Sequence, residues 1–312
     1  MLSQAAKVPR TALSNPFDLA NEQAYQAWRD QKLTNAPRSI GEIVVEIENL
    51  NELTPTELDA IRNRCGKANM AVYKSRDPEA DYIQQRQVVQ NIGGSFGLKN
   101  LDVNIRADDE GISALHVAAA ENHHEYIPYS NRSINWHTDG YYNDLRNKIR
   151  AMILHCVSPA ASGGENAFVD HEILYLLMRN ENPAYIDALM QADVMTIPAN
   201  IENGVELRAA QTGPVFSIDP QTGDLHMRYT ARTRSIEWKD TGLVREAVEF
   251  IQTFLNSASP YIFHHRLSAG EGIICNNVLH NRSAFEDDLE KDQTRLIFRG
   301  RFYDRISTEF QL

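Results

Sequence analysis

The stretch Asn135-Trp136-His137-Thr138-Asp139-Gly140 decides how the rest of the sequence is interpreted. His137 and Asp139 are two positions apart, so an imidazole nitrogen and a carboxylate oxygen can reach one metal ion from a strand end and the turn after it. Gly140 permits that tight turn, because glycine adopts positive φ without a steric penalty. Two such ligands require a third, and the best candidate is His280, which closes the run Gly272–His280.

The pair of His137 and Asp139 is weak evidence when it is taken alone. With 10 histidines and 42 acidic residues in 312 positions, roughly one such pair is expected by chance. A second pair, His123 and Glu125, lies in a charged stretch that predicts exposure to solvent. A solvated or capping pair is the alternative for both. Two histidines and one carboxylate, however, are the ligand set of non-haem Fe(II) oxygenases.

The last predicted strand, over residues 295–303, carries several cations on one face. Because side chains alternate along a strand, one face holds Arg295, Ile297, Arg299, Arg301 and Tyr303. The opposite face is apolar. An arginine that points into a protein requires an anion, so this face predicts a bound carboxylate held by a guanidinium group. A strand whose arginines face solvent is the alternative.

The composition restricts the kind of partner. A net charge of -11 argues against DNA, RNA or an anionic membrane, which are recognised chiefly through basic patches. No apolar run approaches the roughly 20 residues of a membrane helix, and the first residues lack the layout of a signal peptide. We therefore expect a cytoplasmic protein with a small-molecule substrate, and a homo-oligomer stays open.

Three separate cysteines are expected to be reduced and structural: Cys65, Cys156 and Cys275.

The proposed ligands span the β-rich part of the chain, which favours one domain over residues 1–312. Residues 1–40 are expected to form an N-terminal extension and a helix, 41–130 a mixed α/β lead-in, and about 131–305 the core with helical insertions. The clearest local signal is a helix with Thr54 as N-cap, Glu57 completing a capping box and Gly66 as its end. A second amphipathic helix is predicted over residues 243–255.

Together, these motifs resemble a known family. His137-Thr138-Asp139, a distal histidine set in Asn276-Asn277-Val278-Leu279-His280-Asn281-Arg282, and Arg295 with Arg299 after it are similar to the Fe(II)/2-oxoglutarate-dependent taurine dioxygenase family. That family also resembles clavaminate synthase and γ-butyrobetaine hydroxylase. The resemblance runs from about Ile134 to Arg305, and residues 158–166 are similar to the family's glycine-rich loop.

The resemblance implies a mainly β fold with added α, a double-stranded β-helix (jelly roll) core surrounded by helices. It implies that His137, Asp139 and His280 hold Fe(II), with 2-oxoglutarate and O2 as co-substrates and succinate and CO2 as released products. Arg295 would pair with the distal carboxylate of 2-oxoglutarate. Asn166 stands where the family usually has a threonine that contacts this co-substrate, so here an amide would replace the hydroxyl.

Substrate recognition is expected to involve Arg299, which matches the position that contacts the anionic end of the substrate in sulfonate-hydroxylating relatives. Arg295 and Arg299 are about 13 Å apart along a strand, so they can serve one extended site but not one carboxylate. If residues 227–234 form a strand, Arg228, Arg232 and Arg234 share a face and could form a cationic wall with Arg299 and Arg301. Such a wall would suit a small carboxylate or sulfonate. A solvated basic strand paired with surface acids is the alternative for Arg232 and Arg234.

Two alternatives stay open at this point. One is a cupin-like metalloenzyme that does not use 2-oxoglutarate, for which Arg295 would have no purpose. The other is a catalytically silent binding protein on the same fold, against which the intact set of His137, Asp139 and His280 counts. If the enzyme is an oxygenase, the carboxylate of Asp139 predicts oxygenation rather than halogenation, because halogenating relatives lack it. Residues 101–125 and 194–207 are candidate lids by their length.

Overall fold

A computed structural model describes residues 15–76, 82–103, 111–117, 127–232 and 236–306. The helices are α1 (Glu22–Asn35), α2 (Pro55–Ala68), α3 (Tyr82–Ser95), α4 (His171–Glu181), α5 (Pro183–Leu189) and α6 (Gly242–Leu255). The strands of the first half are β1 (Val44–Ile47), β2 (Met70–Ser75), β3 (Ile112–Leu115), β4 (Ile134–His137), β5 (Ala151–Ser158), β6 (Ser162–Gly163) and β7 (Asn166–Val169). Those of the second half are β8 (Met195–Ile197), β9 (Asn200–Glu202), β10 (Val205–Arg208), β11 (Gln211–Gly213), β12 (Phe216–Ile218), β13 (Leu225–Met227), β14 (Glu237–Trp238), β15 (Phe263–His265), β16 (Glu271–Cys275), β17 (Leu279–Arg282), β18 (Phe285–Glu286) and β19 (Leu296–Phe302).

Two sheets face each other across the centre of the molecule. The larger has the strand order β1-β2-β16-β5-β19-β3, and the smaller has the order β15-β7-β17-β4. A buried apolar cluster lies between them, with Leu154, Ile273 and Ile297 from the larger sheet and Phe168 and Phe263 from the smaller. Burial of this cluster provides the hydrophobic stabilisation that holds the sheets together.

Helices cover the outer faces of both sheets. On the larger sheet, α2 and α3 contribute Ile61, Val89 and Ile92 to a cluster with Phe298 and Phe302 of β19. On the smaller sheet, α1, α4, α5 and α6 pack over the outward side chains of β7 and β17. The amphipathic helix predicted over residues 243–255 is confirmed as α6, which starts at Gly242.

The predicted capping box of α2 is confirmed, but its predicted end is wrong. The Thr54 side chain accepts a hydrogen bond from the Glu57 amide, and the Glu57 carboxylate accepts one from the Thr54 amide. The helix continues past Gly66 to Ala68, and Asn69 caps it in the left-handed conformation with φ 56°. Asparagine tolerates this conformation, so glycine is not required to end the helix.

The lead-in contributes strands to the larger sheet. β1 and β2 are parallel neighbours connected by α2, and β3 pairs with β19 at the far edge. The core strands are therefore not confined to residues 131–305. Within the described ranges, the chain combines many strands with six helices, and none of these helices is both long and apolar enough to cross a membrane.

Candidate active site

Two strands of the smaller sheet bring the predicted histidines together. β17 pairs antiparallel with β4 so that His280 stands opposite His137, and the centroids of the two rings are 4.2 Å apart. Each offers one ligand atom, as does Asp139 in the turn after β4, and the three atoms lie within 4.8 Å of one another. The structure therefore brings together the three side chains that the sequence predicted to converge.

Backbone carbonyls orient both imidazole rings. Nδ1 of His137 is 2.8 Å from the Asn135 carbonyl oxygen, and Nδ1 of His280 is 2.9 Å from that of Val278. A carbonyl oxygen only accepts, so Nδ1 carries the proton in each ring and Nε2 keeps its lone pair. This is the arrangement by which proteins prepare histidine ligands for a metal.

The carboxylate of Asp139 is buried and only partly satisfied. Its Oδ1 is 3.4 Å from Nη1 of Arg299 and 3.7 Å from Nε2 of His137. Its Oδ2 is buried without a hydrogen-bond partner among the described residues. Because a buried carboxylate oxygen without a partner is unfavourable, this atom is suited to bind a cation.

Asn277 fixes the turn that carries Asp139, a role that sequence analysis missed. Its Oδ1 accepts a hydrogen bond from the Asp139 amide at 2.8 Å. Its Nδ2 donates to the carbonyls of Asp139 at 3.0 Å and Ile149 at 2.7 Å. Asn277 itself adopts a left-handed conformation with φ 50°. The run before His280 thus braces the turn after His137.

Burial and neighbouring charges keep the three groups deprotonated. Burial lowers the pKa of His137 to about 3, and nearby His280 adds to the effect; burial also lowers the pKa of His280. Burial alone would raise the pKa of Asp139, but the positive charges of Arg299 and Arg301 more than offset it and hold that pKa well below its usual range. Two neutral imidazoles and one carboxylate fit Fe(II) and leave other coordination positions open.

Arg295 lines a small cavity together with Asn166, Gly163 and Gly164. Its Nη1 is buried without a hydrogen-bond partner among the described residues, and burial lowers the pKa of its guanidinium group to about 10. A Cβ at Gly163, where φ is +69°, would lie 2.2 Å from the Ala284 carbonyl oxygen, so only glycine fits there. This cavity suits a carboxylate that pairs with Arg295.

Asn166 is on the same sheet face as the paired histidines. It stands opposite Arg282 on β17, and Phe168 stands opposite His280, so Asn166 lines the interior together with the metal-ligand candidates. Its Nδ2 donates to the Asn281 carbonyl oxygen at 2.8 Å. That bond orients the amide without using its second hydrogen.

Arg299 and Arg301 lie on the inner face of β19, as predicted, but they are bonded differently. Arg301 forms an ion pair with Asp102 and donates to the Tyr142 hydroxyl at 2.8 Å, so its charge is largely compensated. Arg299 approaches Asp139, and its Nε is buried without a partner among the described residues. Arg299 is therefore the better candidate for contact with an anionic substrate.

The predicted cationic wall requires correction. The Arg228 side chain is buried and donates to the backbone carbonyls of Tyr141, Met195, Gly213 and Gln211. These bonds engage all three nitrogen atoms of its guanidinium group. Arg232 is exposed. Arg234, like the pair of His123 and Glu125, lies outside the described residues.

Several aromatic and histidine side chains near the site are buried in the core. Trp136 and Tyr141 are buried in the core outside the smaller sheet, although the Tyr141 ring meets His137 edge-on at 6.4 Å. His155 is buried 3.2 Å from the Tyr73 hydroxyl and 3.2 Å from the Gln85 side chain. Arg282, two residues after His280, is buried near Arg295 and was also missed. Strand alternation alone could have placed it on the ligand face.

Several known proteins are similar to this chain in sequence or in structure. A uridine-5'-phosphate dioxygenase from a Streptomyces species is 29% identical over 174 residues, which cover 53% of this chain and 60% of that protein. The chain therefore spans less than two thirds of this relative. A taurine dioxygenase structure from Burkholderia xenovorans matches with a TM-score of 0.53 at 15% identity, covering 86% of this chain and 88% of the other.

An asparagine oxygenase structure in complex with Fe(II), a hydroxyasparagine and succinate matches with a TM-score of 0.53 at 14% identity, covering 89% of this chain and 91% of the other. At such identities the two structures establish a shared fold. The model of the TauD, TfdA family, described as taurine catabolism dioxygenase, matches residues 31–300. The chain therefore belongs to the TauD, TfdA family.

Proposed function

We propose that His137, Asp139 and His280 hold Fe(II), that Arg295 binds the distal carboxylate of 2-oxoglutarate, and that the enzyme hydroxylates a small anionic metabolite. The observation that carries this proposal is the convergence of the three ligand atoms within 4.8 Å. The two facing sheets also support the predicted jelly-roll core. When bound, iron and 2-oxoglutarate supply oxidative chemistry in which succinate and CO2 are released.

The protein's own residues would bind the metal and 2-oxoglutarate and orient them. The carbonyls of Asn135 and Val278 hold the two imidazoles with Nε2 directed to a metal. Arg295 would hold 2-oxoglutarate in the cavity beside Asn166 and the glycine loop. The buried cluster between the sheets excludes water from this side of the site. Such fixed positioning is the protein's main contribution when a cofactor carries the reaction.

The anionic substrate class rests on Arg299. Arg301 is compensated by Asp102, and Arg228 is bound to carbonyls. Once a metal neutralises Asp139, Arg299 is left with a charge that a carboxylate, sulfonate or phosphate of the substrate can meet. The uridine-5'-phosphate dioxygenase relative is a reason to include phosphate esters among the compounds tested.

Anaerobic addition of Fe(II) and 2-oxoglutarate to the purified apoprotein tests the metal and co-substrate assignments. We expect the visible charge-transfer band of a chelated 2-oxo acid in the native protein and its absence in His137→Ala. The matched control is His155→Gln, a buried histidine outside the ligand set, which should retain the band. A band that survives in His137→Ala would overturn the ligand assignment.

A substrate panel tests the remaining part of the proposal. Succinate formation is measured with small carboxylates, sulfonates and phosphate esters, each beside a neutral analogue of similar size. We expect stimulation by anionic compounds only. Equal stimulation by the neutral analogues would exclude the anionic substrate class while leaving the cofactor assignment intact.

A further inference from the structure

The Arg295 cavity has a second buried arginine beside it. Arg282 is 3% exposed and lies two residues after His280 on β17, so both side chains leave the strand on the same face. In register, Arg282 stands opposite Asn166, which lines the cavity together with Arg295. Neither the family resemblance nor the proposed function assigns Arg282 a role.

The ring of Phe285 connects the two arginines. The guanidinium carbon of Arg282 is 4.8 Å from the ring centroid, and that of Arg295 is 5.1 Å from it. Phe285 is held at the glycine loop because it pairs with Gly163 across β18 and β6. Contacts between a cation and an aromatic face are stronger where water is excluded, so the buried Phe285 ring stabilises both guanidinium groups, of which that of Arg295 lines the cavity.

These two charges have no ion-pair partner among the described residues, although the Asp287 carboxylate lies close to Arg295 and accepts a hydrogen bond from its amide at 2.9 Å. Among the described residues, no carboxylate forms an ion pair with either guanidinium group at 4.0 Å or less. Nη2 of Arg282 donates to the Ser130 carbonyl oxygen at 2.8 Å and to that of Arg132. Its Nε has no hydrogen-bond partner within the described part of the chain. Two neighbouring buried cations are unfavourable unless an anion joins them.

We propose that Arg282 is a second positioning residue for 2-oxoglutarate, whose charge acts with that of Arg295 on the distal carboxylate. The inference rests on the proposed function. A purely structural role is the competing explanation, since the carbonyl contacts of Arg282 also anchor residues 130–132. The two explanations differ in one respect: only the first depends on the charge of Arg282 and on the distal carboxylate of the ligand.

Measurement of 2-oxoglutarate binding distinguishes the two explanations for Arg282. Dissociation constants for 2-oxoglutarate are measured by calorimetry on the Mn(II)-loaded protein, so that turnover does not contribute. Arg282→Gln keeps a donor for the Ser130 carbonyl and removes the charge, and we expect its dissociation constant to rise by about 10- to 100-fold. Arg282→Lys keeps the charge and should recover most of the affinity. The same loss in Arg282→Lys as in Arg282→Gln would overturn the proposal.

Arg179→Gln is the matched control. Arg179 is also buried, donates to the Pro16 carbonyl at 3.0 Å and lies over the Tyr25 ring at 3.8 Å, but it is on α4, outside the cavity. This variant should bind 2-oxoglutarate with the native dissociation constant. The melting temperature of each variant is recorded to confirm folding.

A 2-oxo acid without the distal carboxylate, such as 2-oxovalerate, provides the second arm. We expect the native protein and Arg282→Gln to bind it equally. Equal losses for both ligands would show that Arg282 acts on the fold rather than on the carboxylate. If the native protein does not bind 2-oxoglutarate, the proposed function fails; if native and Arg282→Gln proteins bind it equally, only the role of Arg282 fails.

Discussion

Arg299 and Asp139 form an ion pair that joins the two sheets at the candidate metal centre, with Nη1 3.4 Å from Oδ1. Arg299 comes from β19 in the larger sheet, and Asp139 comes from the turn after β4 in the smaller one. Since the pair engages only Oδ1, Oδ2 stays available to a metal. The guanidinium group of Arg299 therefore contacts the proposed iron ligand Asp139 and keeps Nε free of described partners.

Replacement of Arg299 should impair substrate use more than co-substrate binding. In Arg299→Met we expect kcat/KM for the anionic substrate to fall by about 10- to 100-fold, because one charge-assisted hydrogen bond is lost. The dissociation constant of 2-oxoglutarate should stay close to native. Steady-state kinetics and calorimetry measure the two effects, and Arg232→Met at an exposed position is the control. Unchanged substrate-stimulated succinate formation would exclude Arg299 as a substrate contact.

Removal of the Asn277 side chain should loosen the metal centre. Asn277→Ala loses three hydrogen bonds to the backbone of Asp139 and Ile149. We expect metal affinity to fall by about 10- to 100-fold, the usual effect of losing a group that supports a ligand. Titration with Mn(II) measures the affinity.

The neighbouring Asn276 is the control for that change. Its side chain is also buried, but it donates to Asn69 at 3.1 Å and accepts from the Ile306 amide at 3.0 Å. Asn276→Ala should therefore lower the stability without lowering the metal affinity of the folded protein. If both variants lose metal affinity equally, general destabilisation rather than the Asp139 brace is responsible.

A methyl group at Gly140 should distort the same turn. Gly140 has φ +67°, and a Cβ there would lie 2.4 Å from Cγ1 of Ile149. The left-handed conformation costs about 1–2 kcal/mol for a residue with a Cβ, and the clash adds about 1–3 kcal/mol. Denaturant unfolding of Gly140→Ala measures the sum. Gly204→Ala, at φ +80° with no atom within 4 Å of its Cβ, should show the conformational part alone.

The buried ion pairs of Lys32 should make stability depend on pH. Nζ of Lys32 is 2.6 Å from Glu172 and 2.6 Å from Asp170. Burial alone would raise the pKa of Glu172, but the nearby charge of Lys32, with smaller effects of His171 and Arg305, outweighs burial and the pKa falls from 4.5 to about 2. Because the folded-state pKa is depressed, this stabilisation is present above pH 4.5 and is lost as the pH falls towards 2.

Comparison with Glu172→Gln isolates that contribution. At neutral pH the variant should be less stable by about 3 kcal/mol, as when one partner of a buried ion pair is removed. The difference in unfolding free energy between native and variant proteins should shrink as the pH is lowered from 4.5 to 2. A difference that stays constant over this range would contradict the assignment.

Much of the site could be predicted because its chemistry depends on local pattern. His137 and Asp139 share one short motif, and the alternation of β19 placed Arg299 and Arg301 on one face. The partners of these side chains could not be predicted. Whether an arginine meets Asp102, as Arg301 does, or four backbone carbonyls, as Arg228 does, depends on contacts between distant segments.

The fold was predictable to a similar degree. The Thr54 capping box and α6 followed from local signals. The membership of β1, β2 and β3 in the larger sheet did not follow from local signals, because the sequence of a short apolar strand does not indicate which strand it pairs with. Asn69 as the end of α2 was missed since glycine is the commoner residue at that position.

The hydrogen bonds of Asn277 to the turn of Asp139 have a consequence for biosynthesis. The two segments that they join leave the ribosome far apart in time, because Asn277, His280 and β19 all follow residue 270. A nascent polypeptide that has been translated only to residue 270 contains His137 and Asp139 but neither Asn277 nor His280. The three proposed ligands can therefore hold iron together only after translation has passed residue 280.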